Sequence, residues 1–371
     1  MERLERLEIA GFKSIREASL ELGPLNVLIG ANGAGKSNLI RVFRLLNQLV
    51  NGNLQLYVGR SGGTDQLLYY GRQTTERIEI RLSFQTSETL TNGYACSLVA
   101  AAGDTLVFEK EIAFVHDQSR YPIPTEVSLG AGHSESLLRD AAKLQNGIAR
   151  HSLEAIQSWQ IYHFHDTSDS AKTKQTGDLD DNRFLRPDAA NLAAYLYYLQ
   201  EMKEAHYRNI VETIRLVAPF FDDFSLRPSP LNPGKIKLEW RERGSDAYFD
   251  ASALSDGTLR FISLATLLLQ PQARLPKAIL LDEPELGLHP FAITLLASLL
   301  QSAAKQTQVI VATQSVTLVN QFNPQDIVVV DREDGQSVFK RLPEQAVESW
   351  LDEYGLGDLW EKNILGGRPS L

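Results

Sequence analysis

The chain has 371 residues, 43% hydrophobic and 22% charged, which is ordinary globular usage and excludes a wholly disordered protein. Its 37 basic and 46 acidic residues leave a net charge of −9, which excludes a generally basic nucleic-acid binder but not a local basic patch. Cys96 is the single cysteine, so neither an intramolecular disulfide nor a cysteine-based zinc site can form. No apolar run approaches the ~18 residues of a membrane span, and the N-terminus, Met1-Glu2-Arg3-Leu4-Glu5-Arg6, has no apolar core. A cytoplasmic location with no membrane partner is therefore expected.

Residues 4–9 and 18–22 read as strands, and 26–29 is a short apolar run before a glycine cluster, the pattern of a buried strand. Residues 37–50 predict a helix, with Leu39, Ile40, Phe43, Leu46 and Val50 at helical spacing. Residues 51–73, rich in Gly with Asn and Gln, read as loop. Strict alternation over 78–84, followed by strand patterns at 94–99 and 105–115, predicts an antiparallel β layer. Residues 130–157 read as mixed and mostly helical, 160–164 as a strand, and the polar stretch 166–181 as a mobile loop. Residues 191–198 and 205–217 predict a helical pair, and Pro228, Pro230 and Pro233 break the chain before a strand at 235–240. From residue 253 a β/α alternation sets in, with helices at 257–269 and 291–304 and strands at 278–281, 308–312 and 327–330. That pattern argues for a mainly parallel sheet.

Gly30-Ala31-Asn32-Gly33-Ala34-Gly35-Lys36-Ser37 matches G-x-x-x-x-G-K-[ST], between a buried strand and a helix, as a phosphate-binding loop requires. Glycines let successive N–H groups face phosphate oxygens at the positive end of a helix. Lys36 is expected to reach the β- and γ-phosphates and the Ser37 hydroxyl to bind Mg²⁺. Ala278-Ile279-Leu280-Leu281-Asp282-Glu283 is an apolar strand ending in two carboxylates. Asp282 is expected beside the metal, and Glu283 is expected to polarise the attacking water.

These motifs resemble those of the ABC-type ATPase heads of the SMC, Rad50 and RecF group. Leu254-Ser255-Asp256-Gly257-Thr258 resembles the ABC signature, usually Leu-Ser-x-Gly-Gln, and lies one helix and a turn ahead of the carboxylate strand. More specifically, the chain resembles the compact bacterial AAA family (AAA_21) ATPases related to RecF and OLD. The likeness runs through Phe12-Lys13-Ser14, the phosphate loop, residues 162–168, 254–261 and 283–290, Ala312-Thr313-Gln314-Ser315, and residues 356–363.

The fold implied is an α/β P-loop NTPase: an ABC-type head with a mainly parallel core sheet, an antiparallel β layer and a helical insertion. Three regions are expected: an N-terminal lobe (1–160), a helical insertion (161–250) and a C-terminal lobe (251–371). The resemblance implies ATP and Mg²⁺ as cofactors, held by Asn32, Gly33, Ala34, Gly35, Lys36, Ser37 and Asn38, with Ser37 and Asp282 on the metal. It also implies a homodimer with two ATP molecules sandwiched between protomers, Ser255 and Gly257 of one meeting the γ-phosphate held by Lys36 of the other. Closure on binding and opening on hydrolysis would make the protein a conformational switch in a DNA-related or anti-phage defence complex.

Gln314 stands where relatives usually carry His. Glutamine can bond the γ-phosphate or the water but cannot shuttle a proton, so slow turnover is expected, with Glu283 and Gln314 as the catalytic pair. A nucleotide-dependent scaffold with negligible hydrolysis is the alternative reading. Gln160 is a candidate for the Q-loop residue, with His163, His165 and Asp166 as rivals. By analogy, His289 is a candidate for a contact across the dimer, and Lys13 and Ser14 for the base or ribose. DNA and an effector protein such as a nuclease are candidate partners, with Arg183, Arg186, Arg208, Arg215 and Arg227 as candidate DNA contacts. About 40 residues follow Val330, too few for the C-terminal Toprim domain of OLD-type proteins, so any cutting is expected from a partner.

Overall fold

The computed structural model describes residues 3–144, 147–343, 350 and 354–367; Met1 and Glu2 of the N-terminal stretch read above lie outside them. Among the described residues, two six-stranded sheets carry the architecture. The first has order β2-β1-β4-β5-β6-β7 and is antiparallel throughout: β1 (Arg3–Phe12), β2 (Ile15–Glu21), β4 (Arg77–Gln85), β5 (Leu90–Ala101), β6 (Thr105–Asp117) and β7 (Thr125–Gly130). The second has order β18-β17-β3-β16-β15-β8: β3 (Leu25–Ile29), β8 (Trp159–Tyr162), β15 (Ala278–Asp282), β16 (Gln308–Thr313), β17 (Ile327–Glu333) and β18 (Gln336–Arg341). All its pairings are parallel except β17 with β18. A parallel sheet is stable when both faces are covered, and its strands then read as unbroken apolar runs. β3 and β16 are buried at every position.

Alternation along β3 assigns its residues to two cores. Leu28 packs with Leu280, Ile310 and α1 (Lys36–Val50), which lies between the two sheets. Val27 and Ile29 face the other way, with Ile279, Leu281, Val309 and Val311, onto α7 (Asp256–Leu269) and α8 (Pro290–Ala304). Cys96 is buried in β5. No helix among the described residues is long and apolar enough to cross a membrane.

Several expectations change. Residues 51–73 contain α2 (Leu54–Arg60), whose first free N–H groups, of Leu54 and Gln55, donate to the Glu135 carboxylate at 2.8 and 3.0 Å. A cap supplied from far along the chain leaves no local helix signal. The stretch 166–181 is partly packed: Ala171, Thr173 and Lys174 are buried, and Gly177–Asp178 pairs with Asn232–Ile236. The strand expected at 235–240 is two strands, Asn232–Ile236 and Glu239–Glu242, in different small sheets. β7 and β18 had no expectation; β7 is an exposed edge with weak burial alternation.

Candidate functional site

The phosphate loop joins β3 to α1. Gly30, Gly33 and Gly35 have φ of 156°, 80° and 121°. At Gly35 a Cβ would also lie 2.0 Å from Ser337 Oγ. Glycine is therefore required there by conformation and by space. The helix that follows has no acidic residue in its first turn and no side-chain cap, leaving its amino end open to an anion. Lys36 is 5% exposed, and its Nζ donates to Gly30 O at 2.6 Å and Ala31 O at 3.0 Å. Burial holds its ammonium below the ordinary lysine range, against the upward pull of Glu283, Asp282 and Glu285.

Strand register brings the carboxylates to this loop. Asp282 pairs with Ala312, and Thr313 pairs with Ile29, so all three strands end at one edge of the sheet. That carboxyl edge is where α/β sheets bind ligands. Asp282 Oδ1 is buried with no hydrogen-bond donor among the described residues. A buried carboxylate oxygen without a donor fits a cation, so Asp282 together with the Ser37 hydroxyl suits Mg²⁺. Glu283 sits at φ 46°, a strained conformation for a residue with a side chain. Its N–H donates to Ala312 O at 2.8 Å, and its Oε1 accepts from Gln314 Nε2. Beneath them Glu285 is buried, accepting from Thr313 Oγ1 and, at 3.3 Å, from the Gln314 N–H. Burial raises its carboxyl above the ordinary range.

Of the residues read from the sequence, the structure gathers the phosphate loop, Asp282, Glu283 and Gln314. Ser255 and Gly257 stand apart at the start of α7. Ser255 is exposed; its Oγ caps the helix by accepting from Thr258 N at 3.2 Å and lies 2.8 Å from Thr258 Oγ1. A Cβ on Gly257 would lie 2.3 Å from Gly287 O, so the signature packs directly on the loop after the carboxylate strand. His289 caps α8 through Nδ1 and is exposed. Among the Q-loop candidates, His163 follows β8 beside Asp282 and accepts from Arg44 through Nε2. Of the insertion arginines, Arg186, Arg208 and Arg215 are ion-paired with Asp181, Glu204 and Asp222.

Sequence reading missed three contributors. Ser337, on β18, donates to Ala34 O and lies 2.7 Å from Ser14 Oγ, which accepts from Asn38 Nδ2 at 2.7 Å. This network braces the phosphate loop from the far end of the chain. Arg260, 6% exposed, donates from Nε to Phe164 O at 3.0 Å and from Nη2 to His165 O at 3.3 Å, tying α7 to the segment after β8. Glu285 lies two residues past Glu283, and its proximity in sequence was the one available signal.

Comparison with known proteins bears on the family and the fold. The family model AAA_21, described as "AAA domain, putative AbiEii toxin, Type IV TA system", matches residues 25–320. The OLD nuclease of Thermus scotoductus is 24% identical over 385 residues, covering 98% of this chain and 68% of that protein. The Old nuclease of Escherichia phage P2 is 23% identical over 382 residues, covering 93% of this chain and 62% of that protein. The chain thus spans about two thirds of the length of these relatives. Among solved structures, an Smc head bound to the C-winged helix domain of ScpA superposes with a TM-score of 0.60 at 17% identity, covering 93% of this chain and 99% of that one. An Smc head with an extended coiled coil from Pyrococcus furiosus gives a TM-score of 0.56 at 17% identity, covering 95% and 99%. The fold is that of an SMC head, and the chain belongs to the AAA_21 family as a P-loop ATPase of the SMC/RecF/OLD type.

Proposed function

We propose that this chain is a slow, Mg²⁺-dependent ATPase whose two copies close on two nucleotides and so act as a conformational switch in a DNA-related or anti-phage defence complex. The observation that carries the reading is an incomplete site. The phosphate loop, Asp282, Glu283 and Gln314 converge, while Ser255 stands exposed on α7 with Thr258 as its hydrogen-bond partner. A second protomer would bring its signature to the γ-phosphate.

In this reading Lys36 exchanges the Gly30 and Ala31 carbonyls for β- and γ-phosphate oxygens. Ser37 and Asp282 hold Mg²⁺, which when bound neutralises charge on those oxygens. Glu283 takes a hydrogen bond from the attacking water, and Gln314 orients that water without accepting its proton. A cleft of about 750 Å³ beside the loop, lined by Lys13, Ser14, Asn38, Arg41, Tyr70 and Arg332, suits the nucleoside. A cytoplasmic protein acting with DNA and an effector such as a nuclease fits the OLD relatives.

The test is mass by light scattering on Glu283→Gln protein with ATP and Mg²⁺. Doubling with ATP alone supports the sandwich; a mass indifferent to ATP removes it. The Gln314–Glu283 contact favours a second reading, a scaffold that binds ATP with negligible hydrolysis, because the base is already engaged. Single-turnover hydrolysis by wild-type protein separates the two, since a scaffold would hold its ATP uncleaved.

A further inference from the structure

We infer that residues 354–367 form a strap that couples the phosphate loop to Gln314, with Asn320 as a positioning residue at one end and Trp360 as the side chain that responds to the nucleotide; this rests on the ATP reading above. Residues 356–363 belong to the family likeness but take no part in the chemistry proposed for the site. The short helix Leu356–Glu361 packs on the helical turn Val316–Val319. The Gly357 N–H donates to Asn320 Oδ1 at 2.6 Å, and a Cβ on Gly357 would lie 2.4 Å from Val316 O. Leu356, Leu359 and Trp360 enter the same core as Leu318, Val319 and Val329. Val316 stands two residues after Gln314, and Ser315 between them caps the turn by accepting from Leu318 N at 3.2 Å. One end of the strap is therefore seated, with no spare volume, on the element that begins at Gln314.

The other end reaches the phosphate loop. Gly366 and Gly367 both have φ 80°, a conformation that glycine adopts without strain, and they turn the chain onto the sheet. The Gly367 N–H donates to Asp331 Oδ2 at 2.9 Å, on the strand beside β3. Gly367 is buried, and a Cβ there would lie 3.3 Å from Gly30 Cα and 3.2 Å from Trp360 Nε1. The strap thus touches the first glycine of the loop, and Trp360 shares that contact. Trp360 is 7% exposed, and its Nε1 is buried with no hydrogen-bond partner among the described residues. A buried donor left unpaired is destabilising, and an arrangement that pairs it is favoured.

Nucleotide supplies such an arrangement. Gly30 O and Ala31 O now accept from Lys36 Nζ. Phosphate oxygens that draw the ammonium away leave these carbonyls short of a donor, beside a donor short of an acceptor. Gly30 has no room on the strand side, where a Cβ would lie 2.2 Å from Val330 O. Its movement therefore passes to Gly367 and Trp360, and along the strap to Val316 and Gln314. Loading of the loop tightens the strap, and the strap sets Gln314 against Glu283.

The experiment follows tryptophan emission of the full-length protein during titration with ATP and Mg²⁺. The chain has four tryptophans, so the difference between wild type and Trp360→Phe isolates the response of Trp360. Wild type should show an ATP-dependent emission shift that Trp360→Phe and Lys36→Ala both lack. Asn320→Ala should bind a fluorescent ATP analogue as wild type does, yet lose the shift at saturating ATP and lower kcat by about tenfold with KM unchanged. Asn320→Asp keeps the oxygen acceptor and should recover both, which a merely structural role does not require. Hydrogen exchange of segment 354–367 in wild-type protein reads the same change without a substitution, and protection should rise with ATP. An equal shift in wild type and Trp360→Phe overturns the inference, as does exchange indifferent to bound ATP. A shift that survives in Asn320→Ala, or an Asn320→Asp protein no better than Asn320→Ala, also overturns it. Wild-type protein that fails to bind the analogue is a different result and removes the nucleotide reading itself. Protein that binds ATP without cleaving it leaves the emission and exchange measurements to decide.

Discussion

Lys36 illustrates what one residue does here. Its ammonium is held at the loop by carbonyls that a phosphate can replace, and its charge faces three carboxylates. On the proposed reading, Lys36→Ala removes the cation that holds the phosphates. ATP affinity should fall by about a hundredfold or more in a fluorescent-nucleotide titration, about 3 kcal/mol by the usual conversion. Unchanged affinity would remove the phosphate-loop assignment. His163 gives a pH dependence. Burial, helped by Arg44 and His165, depresses it from 6.5 to about 4. On acidification the unfolded chain therefore takes up this proton first. The stability contribution is complete above pH 6.5 and is lost as pH falls toward about 4. Melting temperatures across that window should drop less steeply for His163→Gln than for wild type; equal slopes would refute the assignment.

At the scale of elements, the phosphate loop depends on a strand from the other end of the chain. Hairpin β17–β18 carries Ser337 to Ala34 O and Ser14, and no spacing rule links residues 34 and 337. Ser337→Ala removes the hydroxyl and adds no bulk, leaving Ala34 O without that donor. The expected cost is about 1–3 kcal/mol in local stability with a weaker ATP affinity, read by thermal melting and nucleotide titration. A variant that binds ATP as wild type would show that the brace is structural alone. Element ends explain which boundaries the sequence carried. Ser255 and His289 cap their own helices, so α7 and α8 were readable within a residue or two. Glu135 caps α2 from a distance, so that helix was read as loop.

At the scale of the whole molecule, the two faces of the core sheet do different work. One packs α1 against the antiparallel layer and holds the nucleotide loop; the other packs α7 and α8, whose amino ends carry the signature and His289. Gly257 against Gly287 O couples the signature to the loop after the carboxylate strand. Ser255→Arg should leave nucleotide binding by the single chain intact and abolish ATP-driven doubling in the Glu283→Gln background. Doubling that persists would show that the signature is not the dimer face.

Residues 30–37 and 278–283 were legible because their chemistry is contiguous: glycines, a lysine and a hydroxyl must follow one another to wrap a phosphate, and an apolar strand must end in its carboxylates. The parallel core was legible for a related reason, since strands buried on both faces are continuous apolar runs. The unaided sequence therefore determined the fold class and the segments that meet at the carboxyl edge of the core sheet. Tertiary structure alone decided that Ser337 closes on Ala34, that Arg260 holds the segment after β8, and that Lys174 is buried at the signature helix. Those residues are polar, isolated in sequence and surrounded by loop-like composition. Their partners come from sheet order and helix packing, which bring distant segments together without leaving a periodic trace in either one.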